Sequence, residues 1–94
     1  MTSKERAKLR SLASTEPVTV QVGKGGINES VVRSADEALE ARELIKMSVL
    51  ANSGLTAREA AEEIAEKTGA AVVTAIGSRF VLYRKKAKDS RIGI

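Results

Sequence analysis

The chain has 94 residues, 43% hydrophobic and 30% charged, with a formal net charge of +4. That balance fits one soluble globular domain rather than a disordered segment, and no apolar run approaches the roughly 18–20 residues a membrane-spanning helix needs. Cysteine and histidine are both absent, which excludes disulfides, thiolate metal sites, a cysteine nucleophile and histidine as general base or metal ligand. A non-enzyme without metal, cofactor or small-molecule substrate is therefore expected. The opening Met-Thr-Ser-Lys-Glu-Arg has no apolar signal core, so a cytoplasmic location away from membranes is expected too.

Charge is sorted along the chain. Residues 1–26 hold five basic and two acidic residues, residues 27–70 five and nine, and residues 71–94 six and one. Two basic ends around an acidic middle suggest a polyanion-binding face.

Thr2-Ser3-Lys4-Glu5 has the form of a capping box and predicts a first helix to about Ala13. Leu9, Leu12 and Ala13 form its apolar stripe, flanked on opposite sides by the pairs Lys4/Lys8 and Arg6/Arg10. Pro17 blocks any continuation. Val18, Val20 and Val22 alternate with Thr19 and Gln21, the period of a half-buried strand.

A glycine turn, Gly23-Lys24-Gly25-Gly26, follows. Asn28 is placed to cap a second helix running to about Arg42, with Val31, Val32, Ala35, Ala38 and Leu39 inward and Glu29, Asp36, Glu37 and Glu40 outward. Arg33 lies four residues from both Glu29 and Glu37, a spacing that favours an ion pair. Arg42 and Glu43 read as a structural junction.

Leu44 to Leu50 reads as a second strand, with Lys46 alternating between Ile45 and Met47, and Asn52-Ser53-Gly54 as a loop. Thr56-Ala57-Arg58-Glu59 is a second capping box, opening a third helix that stops at Gly69. Ala57, Ala60, Ala61 and Ile64 face inward, and Glu59, Glu62, Glu63 and Glu66 outward. Ala71 to Ile76, a Gly77-Ser78 hairpin turn and Arg79 to Arg84 complete the sheet, leaving 85–94 as a loose basic tail.

The predicted order is α-β-α-β-α-β-β, an α+β (α/β) domain with a four-stranded mixed sheet and helices packed on it. Both strand-helix-strand crossovers are expected to be parallel and right-handed, and the last hairpin antiparallel.

Three glycines between a strand and a helix let another molecule approach the backbone closely, and the helix N-terminus adds free N–H groups and partial positive charge. Such a turn suits a phosphate. A dinucleotide pocket is disfavoured, because Asn28 replaces the third glycine of that fingerprint and Glu43 stands at the start of a strand rather than its end. A purely structural bend and a Gly-x-x-Gly clamp on a nucleic-acid backbone remain. The basic ends favour the clamp. Phe80 and Tyr83 are the only aromatic residues, so stacking bases on a platform of several rings is excluded.

Leu9-Arg10-Ser11-Leu12-Ala13, Val20 through Ile27, Asp36 through Lys46, Ile76-Gly77 and Phe80 through Arg84 together resemble the CRM domain family, specifically its small bacterial YhbY-type members. The resemblance covers residues 1–84 as one domain. It implies RNA binding through a KH-like Gly-x-x-Gly loop and a fold similar to the C-terminal domain of translation initiation factor three. It also implies a role with precursors of the large ribosomal subunit. Taken with the charge pattern, it marks Gly23, Lys24, Gly25, Gly26, Lys8, Arg10, Arg79, Arg84 and Lys85 as the expected RNA-binding residues, with ribosomal RNA as partner and a monomeric protein. The alternative is a protein-interaction module whose acidic helix faces meet a basic ribosomal protein.

Overall fold

The computed structural model describes residues 2–85. The elements follow the expected order: α1 (Ser3–Ala13), β1 (Val18–Val22), α2 (Glu29–Arg42), β2 (Leu44–Val49), α3 (Ala57–Thr68), β3 (Ala71–Ile76) and β4 (Arg79–Tyr83). Both capping boxes form. The Thr2 hydroxyl accepts from the Glu5 N–H at 3.1 Å, while the Glu5 carboxylate accepts from the Thr2 N–H at 2.8 Å. Thr56 and Glu59 repeat the arrangement at 3.1 and 2.9 Å. These donated backbone bonds favour the charged carboxylates and hold Glu5 and Glu59 below their ordinary pKa.

Two strands are a residue shorter than their apolar runs suggest. β2 ends at Val49, where the chain turns into a single 3-10 turn, Ala51–Ser53, leaving Leu50 exposed. β4 ends at Tyr83, and Arg84 departs from it.

The strand order is β1-β2-β4-β3. β1 pairs with β2 in parallel, and β4 pairs antiparallel with both β2 and β3. β3 therefore runs in the direction of β2, as the crossover requires, with β4 inserted between them. β2 and β4 take the centre because their residues are apolar on both faces and need cover on both sides.

Alternate residues of these strands feed two separate cores. Val22, Ile45, Met47, Val49, Phe80 and Leu82 pack beneath α2 and α3, against Ala35, Leu39, Ala57, Ala60, Ala61 and Ile64. Leu44, Val73, Val81 and Tyr83 point the other way, under Leu9 and Ala13 of α1. The sheet is thus sandwiched unequally, two helices on one face and one 11-residue helix on the other. The buried stripe of α1 is narrower than expected: Leu12 is 42% exposed.

Glu43 joins α2 to β2 with φ at 67°, the one non-glycine residue in the left-handed region among those described. It is fully buried, its N–H donates to the Leu39 carbonyl, and its carbonyl accepts from the Arg84 N–H. That is the junction its sequence context suggests.

Tyr83, the single tyrosine, is pushed above its ordinary pKa, first by burial and then by the neighbouring charges of Glu43 and Glu5. The native state therefore holds the phenolic proton more tightly than the unfolded chain. Its contribution to stability is complete below the usual tyrosine pKa and is lost as pH rises through the elevated one. An alkaline titration of phenolate absorbance is expected to show a midpoint above about 10 for the folded protein, returning toward that value in denaturant.

Candidate nucleic-acid interface

The glycine turn caps one end of the sheet. The Gly26 N–H donates to the Gly23 carbonyl at 2.9 Å, which closes a tight turn with Lys24 and Gly25 at its centre. Gly26 has φ at 67°, where a side chain would strain the backbone. A Cβ on Gly25 would stand 3.1 Å from the Asn28 Nδ2. Asn28 is the cap of α2, its Oδ1 accepting from the Val31 N–H at 3.0 Å, so turn and helix start are packed as one unit. The Gly26 amide is spent inside the turn, whereas the amides of Gly23, Lys24 and Gly25 have no partner among the described residues. The Lys24 side chain is exposed beside them.

Hydrogen bonds tie this turn to the opposite hairpin. The Leu50 N–H donates to the Val22 carbonyl and the Val49 N–H to the Ser78 carbonyl, both at 2.8 Å. Gly23–Gly26 and Gly77-Ser78 therefore share one end of the sheet. On the α1 side of that end, strand pairing sets Gln21, Ser48, Arg79 and Ile76 in one row across all four strands. The next row carries Lys46, Val81 and Thr74. α1 covers Val81 of the second row and leaves Gln21, Arg79 and Ile76 of the first exposed. What remains is an open groove of about 320 Å³, lined by Arg10, Ser14, Lys46, Thr74, Ile76 and Arg79 among others, with no carboxylate in its wall. None of Arg10, Lys46, Arg79 or Lys24 is in an ion pair among the described residues.

The expected site residues do not all converge here. Arg10 and Arg79 line the groove and the glycine turn stands at the same end. Lys8 lies on the other flank of α1, beside Leu12, Glu16 and Arg42. Arg84 is on the opposite side of the sheet and already engaged. Its Nη1 donates to the Asp36 Oδ1 at 2.6 Å and the Thr68 carbonyl at 2.8 Å. Its Nη2 donates to the Asp36 carbonyl at 3.1 Å and the Glu40 carboxylate at 3.3 Å. Lys85 is exposed near Glu5 and Tyr83; the rest of the expected basic tail lies outside the described residues. Arg42 pairs with Glu16 at 3.4 Å. Arg33 forms no ion pair among the described residues, although its spacing from Glu29 and Glu37 favours one; it lines a shallow pocket with Asn28, Glu29, Asp36 and Lys67.

Lys46 and Ile76 line the groove although neither is among the expected site residues. The local signal for Lys46 is its alternation with Ile45 and Met47, which puts it on the α1 side; that α1 leaves this part uncovered is not a local property. The acidic residues Glu37, Glu40, Glu62, Glu63 and Glu66 are exposed on the outward faces of α2 and α3, so the molecule is basic on one side of its sheet and acidic on the other. Among the described residues no helix is long and apolar enough to cross a membrane, and no cluster of carboxylates could hold a metal ion.

A three-helix, four-strand mixed α+β sandwich with a glycine turn at one end of its sheet defines the class. The chain belongs to the CRS1/YhbY (CRM) domain family, whose model matches residues 1–84. It is 39% identical over 92 residues to the Probable RNA-binding protein YqeI of Bacillus subtilis, covering 98% of this chain and 96% of that protein. An RNA-binding protein of Haemophilus influenzae is 33% identical over 84 residues, 89% of this chain and 85% of its own length. The fold matches the solution structure of the hypothetical protein SAV1595 from Staphylococcus aureus with a TM-score of 0.80 and 38% identity, over 100% of this chain and 98% of that one.

Proposed function

We propose that this protein is a non-catalytic RNA-binding factor that grips the RNA backbone at the glycine-turn end of its sheet and acts in assembly of the large ribosomal subunit. The observation that carries the reading is that Arg10, Lys46 and Arg79, cations free of ion pairs among the described residues, line a groove without carboxylates at the same end of the sheet as the glycine turn with its unpartnered Lys24 and Gly25 amides. Phosphates are the anions that such a surface accommodates, because amide N–H groups and guanidinium forks both match their oxygens. The relatives named as RNA-binding proteins support RNA as their source. Arg84 has no part in this grip, since its donors are committed to α2 and α3, and Lys8 and Lys85 contribute at most to long-range attraction. The protein works as a monomer in the cytoplasm.

Sucrose-gradient sedimentation of cell extract, with antibody detection, tests the ribosomal role. The expected result is cofractionation with large-subunit precursors that ribonuclease abolishes. The acidic outer faces of α2 and α3 are the feature that would serve a basic protein partner instead; ribonuclease-resistant association with a free protein would favour that alternative.

A further inference from the structure

Resting on that reading, we infer that the groove between the end of α1 and the outer rows of the sheet receives an unpaired nucleotide, its base laid on Ile76, so that the ligand is single-stranded RNA. Ile76 is the most exposed large hydrophobic residue among those described, at 70%. Its position explains why that exposure matters. It is the Cα partner of Arg79 at the end of β3, at one end of the row that crosses all four strands.

The groove is therefore divided by chemistry. Arg10, Lys46 and Arg79 supply positive charge, Ser14 and Thr74 supply hydroxyls, and Ile76 supplies the apolar floor. A nucleotide has the same division, a charged phosphate, a hydroxylated ribose and a flat apolar base. Both aromatic rings are buried in the two cores, so an exposed aliphatic side chain is the surface on offer to a base face.

Strand spacing gives the scale. Four strands set the ends of the row about 14 Å apart, room for a short stretch of backbone between the glycine turn and Ile76. A duplex keeps its bases stacked inward and presents only phosphates and sugars to such a surface; it would meet the cations but not Ile76. A strand with splayed bases would meet both. Charge complementarity and the absence of any carboxylate in the groove favour this polyanion over a protein segment.

The test compares wild type, Ile76→Glu and Ile76→Phe for binding to a short unstructured oligoadenylate and to its duplex with oligouridylate. Ile76→Glu is expected to weaken single-strand binding about fivefold or more, and Ile76→Phe to tighten it by about the same factor, since a ring stacks on any base. Duplex binding is expected to change less than about twofold for the phenylalanine variant, which leaves the charge as it was. The gain with phenylalanine cannot come from misfolding. Ile76→Phe binding the single strand no better than wild type, or changing duplex and single strand equally, would overturn the inference alone. Wild-type protein that binds neither oligonucleotide would overturn the RNA-binding reading beneath it as well.

Discussion

The Lys24→Glu, Arg79→Glu double variant is expected to bind single-stranded RNA at least about 100-fold more weakly than wild type while melting at the same temperature. The affinity term follows from bond strength: a hydrogen bond to a charged group contributes about 1.5–3 kcal/mol, and reversing two of the charges adds repulsion to that loss. The unchanged melting follows from location. Both side chains are exposed and neither is in an ion pair among the described residues, and surface substitutions of that kind usually stay within about 0.5 kcal/mol. The salt dependence provides a second readout. Each phosphate of a single strand that the protein no longer neutralises lowers the slope of log affinity against log salt by about 0.7, so the double variant is expected to show a slope shallower by about 1.4. Filter binding across a salt series checks both, and an unchanged slope would place the phosphates elsewhere.

Arg84→Ala is expected to do the reverse. It removes four hydrogen bonds that staple the end of β4 to Asp36 and Glu40 of α2 and to the last turn of α3. The arginine side chain is 21% exposed, but its acidic partners are 55% and 76% exposed, so solvent screens much of the ion pairing. A loss of about 1–3 kcal/mol is expected, mostly from the bonds to the two carbonyls and the 2.6 Å bond to Asp36. For a domain of this size that lowers Tm by roughly 5–20 °C. RNA affinity, measured well below the new Tm, is expected to stay within about twofold. Thermal melting beside RNA titration separates a staple from a phosphate ligand; full stability with weakened affinity would return Arg84 to the binding face.

The contrast between these two arginines shows what is legible in the sequence. The helix starts are legible because a capping box is local: Thr2 with Glu5 and Thr56 with Glu59 each need only a three-residue spacing. The α3 core face is legible for the same reason, through the 3.6-residue period of Ala57, Ala60, Ala61 and Ile64. Sheet order is not carried by any local motif.

The site is legible in its charge and in its glycines, but not in its grouping. Arg79 and Arg84 read alike along the chain; five residues and the end of a strand put them on opposite sides of the sheet. Lys46 and Ile76 become neighbours of Arg10 only because β4 inserts between β2 and β3 and α1 covers half a face. Those are long-range facts of packing, which local spacing does not carry.

Amide chemical-shift mapping on titration with single-stranded RNA tests the placement of the interface most directly. The expected result is that the largest shifts fall on Lys24, Gly25, Arg10, Lys46, Ile76 and Arg79, with the outer faces of α2 and α3 silent. Shifts centred on Glu62, Glu63 and Glu66, or a glycine turn that does not respond, would contradict it.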